Sequence, residues 1–130
     1  MSRDPVDKNL LQMEARRFAS RCDTQIFSIE RADNLRELSR LASLIILPHS
    51  LAANDSARDV LRLVHSRAES RARELIQQQI QSFLRAEPVA REKLKRAMLE
   101  SWSNLTGPLG HLRTWAQGKL NGAEQQDDAV

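Results

Sequence analysis

The side chains best able to move a proton near neutral pH or to hold a metal are three histidines, His49, His65 and His111, and they are scattered. The chain has no His-x-x-x-His pair, no glycine-rich phosphate loop and no Gly-x-Ser-x-Gly turn. His65 falls near the apolar side of a helical stretch and reads as a half-buried structural histidine. His49 and His111 stand in two loop regions and could meet, but without an arranged carboxylate they make a poor zinc set. Asp55 and Asp59 lie one turn apart at the start of a helix, where they offset the macrodipole without any need for catalysis. Cys22 is the only cysteine, which excludes an intramolecular disulfide. The expectation is a protein that is not an enzyme and uses no metal, cofactor or small-molecule substrate.

Charge points to a binding role. The formal net charge is +3, from 20 basic and 17 acidic residues, and Glu124, Asp127 and Asp128 crowd the C-terminal end. Setting those three aside, 14 acidic residues face 20 basic ones over the rest of the chain. A basic surface suits nucleic acid, an anionic membrane leaflet or an acidic protein. Nucleic acid is disfavoured. Arg58, Arg62, Arg67, Arg71 and Arg73 wind over both flanks of one helix, interleaved with Asp59, Glu69 and Glu74, and few aromatics are free for stacking.

Two loops carry the apolar residues that need an explanation. Pro48–Asn54 contains Leu51, and Ser103–Gly110 contains Leu105 and Leu109. His49, Arg58, His111 and Arg113 surround them, with Arg62 and Arg96 about two turns away. Apolar points ringed by cations can grip an anionic interface, the leucines entering the acyl boundary while the basic residues meet headgroups. The same leucines could instead fold back and plug the end of a helical bundle, and the residues alone leave both readings open.

The elements that must position these loops are helical. Leu, Ala, Arg, Glu and Gln dominate, Tyr is absent and aromatics are only 4%, which excludes most β architectures. Prolines at 5, 48, 88 and 108 mark boundaries. Asp7 caps a first helix to about Arg21, and Asp23–Thr24 caps a second that runs to Leu47, with a possible break at Asn34, where Glu37 completes a capping box. Asp55 or Ser56 opens the longest helix, to about Arg85 and some 45 Å long. A fourth helix follows from Val89 to about Ser103, and a last one carries Leu112, Trp115 and Ala116 before Asn121–Gly122 ends it. The pattern predicts an all-α fold, an antiparallel four-helix bundle with an additional N-terminal helix. Residues 1–6 are expected to be flexible, 7–120 to form the bundle and 121–130 an acidic disordered linker. Alternating direction would bring loops 48–54 and 104–110 to one tip. No apolar run approaches the length of a membrane span, and the polar N-terminus lacks the core of a cleavable secretory signal.

The helical N-terminus, the lone leucine of Pro48-His49-Ser50-Leu51, the very long helix after it and the Leu-Thr-Gly-Pro-Leu loop give the chain a family likeness. It resembles the four-helix-bundle membrane localisation domains of large bacterial toxins and secreted effectors, most narrowly the N-terminal lipid-raft-targeting domain of type III secretion effectors. That resemblance implies a non-catalytic module secreted into a host cell, peripheral on the cytoplasmic face of the plasma membrane. It implies binding to anionic lipids, phosphoinositides and phosphatidylserine, through the two loops. Leu51, Leu105 and Leu109 would insert; His49, Arg58, Arg62, Arg96, His111 and Arg113 would contact headgroups. A type III secretion chaperone would bind through the N-terminal helix. The alternative is a helical protein-interaction or oligomerisation module with the apolar tip as its interface.

Overall fold

The computed structural model describes residues 5–128, with the side chains of 8–126. Part of the segment expected to be flexible, residues 1–4, and the final two residues of the expected linker lie outside the described residues. The fold is all-helical: α1 (Pro5–Glu30), α2 (Leu35–Leu44), α3 (Asp55–Arg85), α4 (Pro88–Trp102) and α5 (Leu112–Asp128), with short 3-10 turns at His49–Leu51 and Gly107–Leu109. No strand occurs among the described residues.

Local chemistry sets most boundaries. Pro88 occupies the first turn of α4, where its missing N–H costs nothing. The Asn34 side chain accepts from Glu37 N at 2.8 Å and the Asn54 side chain from Ala57 N at 2.9 Å, capping α2 and α3. Glu37 does not complete the reciprocal capping box, because its carboxylate is bound by Arg40. Asp23 and Thr24 start no helix. The Thr24 hydroxyl bonds back to Ser20 O at 3.1 Å, as hydroxyls do inside helices, and α1 runs straight through to Glu30. The break falls at 31–34 instead. Asn121 and Gly122 do not end α5 either: Leu120 is buried, Glu124 meets Lys95 at 2.9 Å, and the helix continues to Asp128. Tertiary contacts override the weak helix propensity of that pair, so residues 121–128 are helix and not a disordered linker.

The 31-residue α3 is the axis of the molecule. Ser50 Oγ donates to Glu14 at 2.7 Å, Arg67 meets Glu30 at 3.8 Å and Arg71 donates to Ala32 O at 3.0 Å, so α1 runs parallel to the first half of α3. α2 returns between them, with Gln25 Nε2 donating to Leu41 O at 2.7 Å. On the second half of α3, Trp102 Nε1 donates to Gln79 at 2.9 Å and Arg91 Nη2 to Leu84 O at 2.8 Å, which sets α4 antiparallel. Arg73 stacks 5.1 Å from the Trp115 ring centre, and α5 runs up α3 from there. Consecutive helices from α2 to α5 therefore alternate in direction. They do not lie side by side as four staves: α1 and α2 flank one half of α3, α4 and α5 the other. One apolar core threads both halves, from Phe18, Cys22 and Ile29 through Leu38 and Val64 to Ile76, Met98 and Leu120.

Candidate functional site

The two loops expected to share a tip stand far apart. α4 has 15 residues against the 31 of α3, so the chain turns back only halfway down the axis. His111 Nε2 lies 3.5 Å from Glu69, and Glu69 is about 21 Å along α3 from Asp55 at 1.5 Å per residue. Loop 48–54 is at the start of α3; loop 104–110 is at its waist, against α2 and α3. His49 and His111 do not meet.

The three loop leucines are in the core. Leu51, Leu105 and Leu109 each show 0% exposure, so in this conformation they plug the packing at the two loop positions and none is presented for insertion. Backbone bonds lock both turns: Leu51 N to Pro48 O at 2.9 Å, Asn54 N to Leu51 O at 2.9 Å and Leu109 N to Thr106 O at 3.1 Å. Burial of a leucine in a loop satisfies the apolar side chain while the turn's own hydrogen bonds satisfy the backbone.

The headgroup set divides as well. His49 is exposed beside the start of α3, where Arg58 pairs with Asp55, and Arg62 with Asp59 at 3.3 Å, leaving those two turns without net charge. His111 and Arg113 sit at the waist, the first on Glu69 and the second donating to Gly110 O at 3.4 Å. Arg96 is on α4, beyond the level of Gln79 and in the other half of the molecule. His65 is half-buried on α3, and that burial holds its pKa below the ordinary 6.5. Among the described residues no three His, Cys, Asp or Glu side chains cluster as metal ligands. No described helix is long and apolar enough to cross a membrane.

A different stretch, the first turns of α1, carries exposed apolar groups and basic residues that have no carboxylate partner among the described residues. Leu10 and Met13 stand exposed on the outer side of α1. From residue 8 to 21, Lys8, Arg16, Arg17 and Arg21 face one carboxylate, Glu14, which Ser50 engages. That same Ser50 bond sets the stretch between α2 and α3 beside these turns. Four residues before it is Ile46, 77% exposed, and Leu44 is exposed too. Sequence reading passed over Leu10, Met13 and Ile46. Their signal is positional: 10 and 13 fall outside the stripe of Leu11, Ala15, Phe18 and Cys22, and Ile46 follows the last turn of α2.

Compared with known proteins, the chain matches no family model, no curated protein and no solved structure.

Proposed function

We propose that the chain is a non-catalytic membrane-targeting module that docks on anionic phospholipid, as expected of a secreted bacterial effector acting at the inner leaflet of a host plasma membrane. On this reading α2 to α5 are the four-helix unit of the resembled family, drawn out along α3, and α1 is the additional helix. The observation that carries the proposal is the first half of α1, where exposed Leu10 and Met13 share a flank with Arg17 and Arg21, Glu14 is engaged by Ser50, and exposed Ile46 lies four residues before that serine. Each cation near an acidic leaflet contributes about 1 kcal/mol, and the apolar side chains supply contact with the acyl boundary. Phosphoinositides and phosphatidylserine are the matching lipids. This surface takes the place of the loop leucines in the proposal.

The test is flotation with phosphatidylcholine vesicles, with and without phosphatidylserine. Binding is expected only with the anionic lipid, weakened by salt and lost in Arg16→Gln/Arg17→Gln and in Ile46→Asn at unchanged melting temperature. Equal binding to neutral vesicles refutes it. A second reading rests on Phe27, exposed on the flank of α1 that also carries Met13, six residues past Arg21 and with the Arg31 guanidinium 3.4 Å from its ring centre. A surface continued along the whole helix suits a protein partner, a secretion chaperone among them. Loss of partner binding in Phe27→Ser with vesicle binding intact would assign that flank to protein.

A further inference from the structure

We propose that the groove between the outer face of α2 and the turn after α4 is a binding site for a phosphate group, carried either on a free ester or on a lipid headgroup. It is open to solvent and has a volume of about 470 Å³. Arg36, Ser39, Arg40 and Ser43 recur at the spacing that puts them on one stripe of α2, and Asn104 and Thr106 stand across from them. Every one of these side chains can donate a hydrogen bond, and no carboxylate lines the groove.

All of these donors but Arg40 lack an acceptor among the described residues. Ser39 is 3% exposed and its hydroxyl has no hydrogen-bond partner among the described residues, a costly state for a buried polar group. Among the described residues, Arg36 has no carboxylate partner and the side chains of Ser43, Asn104 and Thr106 have no hydrogen-bond partner. Arg40 is held at one rim by both oxygens of Glu37, at 2.6 and 3.1 Å, so Arg36 supplies the uncompensated charge.

The helix end nearby would ordinarily repel an anion, since carbonyls gather at a C-terminus. Here those carbonyls are taken. Ser103 N bonds Leu99 O and Glu100 O at 3.1 and 3.2 Å, Asn104 N bonds Ser101 O at 3.1 Å, and Leu105 N bonds Trp102 O at 3.1 Å. The wall is held close by Gly107, where a Cβ would stand 2.9 Å from Ser43 Oγ. A planar guanidinium with hydroxyl and amide donors around it is the donor set for a tetrahedral oxyanion. No residue of α1 lines the groove, and although exposed Leu44 borders both surfaces, the proposal is tested on free phosphate and does not rest on membrane docking.

The test is titration of the isotope-labelled 130-residue chain with inorganic phosphate at constant ionic strength, following backbone amide resonances. Saturable shifts are expected at Ser39, Ser43, Asn104 and Thr106. Arg36→Gln should weaken binding about tenfold or more, the loss of a charge-assisted donor, while Arg85→Gln outside the groove leaves it unchanged. Ser39→Ala, which keeps the packing, should weaken it less. A second arm compares glycerol 3-phosphate with phosphatidic acid in phosphatidylcholine vesicles. Saturation by the free ester assigns a soluble ligand, and Arg36-dependent binding on the vesicle alone assigns a headgroup. Shifts that grow linearly without saturating, or that persist in Arg36→Gln, overturn the proposal.

Discussion

Replacing Leu51 with asparagine separates a plug from an inserting residue. Leu51 is fully buried, in a turn closed by bonds from Leu51 N to Pro48 O and from Asn54 N to Leu51 O. Removing the leucine forfeits about 1.5 to 3 kcal/mol of apolar burial. The incoming carboxamide, with no partner waiting, adds about 1 to 3 kcal/mol. A combined loss of about 2.5 to 6 kcal/mol is expected. At an unfolding entropy of about 2.1 cal/mol/K per residue, a chain of this length loses about 9 to 22 °C in melting temperature. The assay is thermal unfolding by circular dichroism of Leu51→Asn beside Ile46→Asn, whose side chain is already in water and whose melting temperature should hardly move. The comparison matters because both residues are apolar and lie five positions apart, one before the turn and one in it. An unchanged melting temperature in Leu51→Asn would refute the reasoning and return Leu51 to the surface.

Three other outcomes follow from the packing. Cys22 is buried and burial raises its thiol pKa, so a thiol reagent should leave the native protein unlabelled and react once denaturant unfolds it; prompt labelling would contradict the packing of α1. Gly107 has φ +55° and faces Ser43, so Gly107→Ala should cost about 1 to 3 kcal/mol by denaturant titration, and less in a Ser43→Ala background. The folded pKa of His65 lies below the ordinary 6.5, so the unfolded chain takes up the proton first and stability should fall as pH drops through that value. Melting temperatures of His65→Gln should show a shallower decline between about pH 7 and about pH 5 than the parent.

The elements were readable where one residue type has one meaning. Asn34 caps a helix, Pro88 lies at the start of one, and the apolar stripe of α3 runs from Ala57 to Phe83, although the cap of α3 is Asn54 and not the expected Asp55 or Ser56. Misreading came where a residue type has two meanings. Asp23 and Thr24 have the chemistry of a cap, but a hydroxyl that can bond its own helix four residues back is equally at home inside α1. Asn121–Gly122 has the chemistry of a stop, and only the distant Lys95 and the core around Leu120 keep α5 going. Length alone tells against a shared tip, since a 15-residue helix cannot carry its loop back along 31 residues. The burial of Leu51, Leu105 and Leu109 has no such signal. Leucine in a loop is compatible with either solvent or core until the neighbouring helices are placed.

Because α3 is shared by both halves, its own hydrogen bonds cannot be lost piecemeal without consequence. Its first turns are held by α1 and α2, its last by α4 and α5, and its middle, around Ala68 and Ala72, is buried between them. Opening of α1 should expose amides in the first half of α3 alone, and opening of α5 amides in the second half alone. The central amides of α3 open only when both flanks are gone, so they should exchange with solvent at the rate of global unfolding while each end reports its own half.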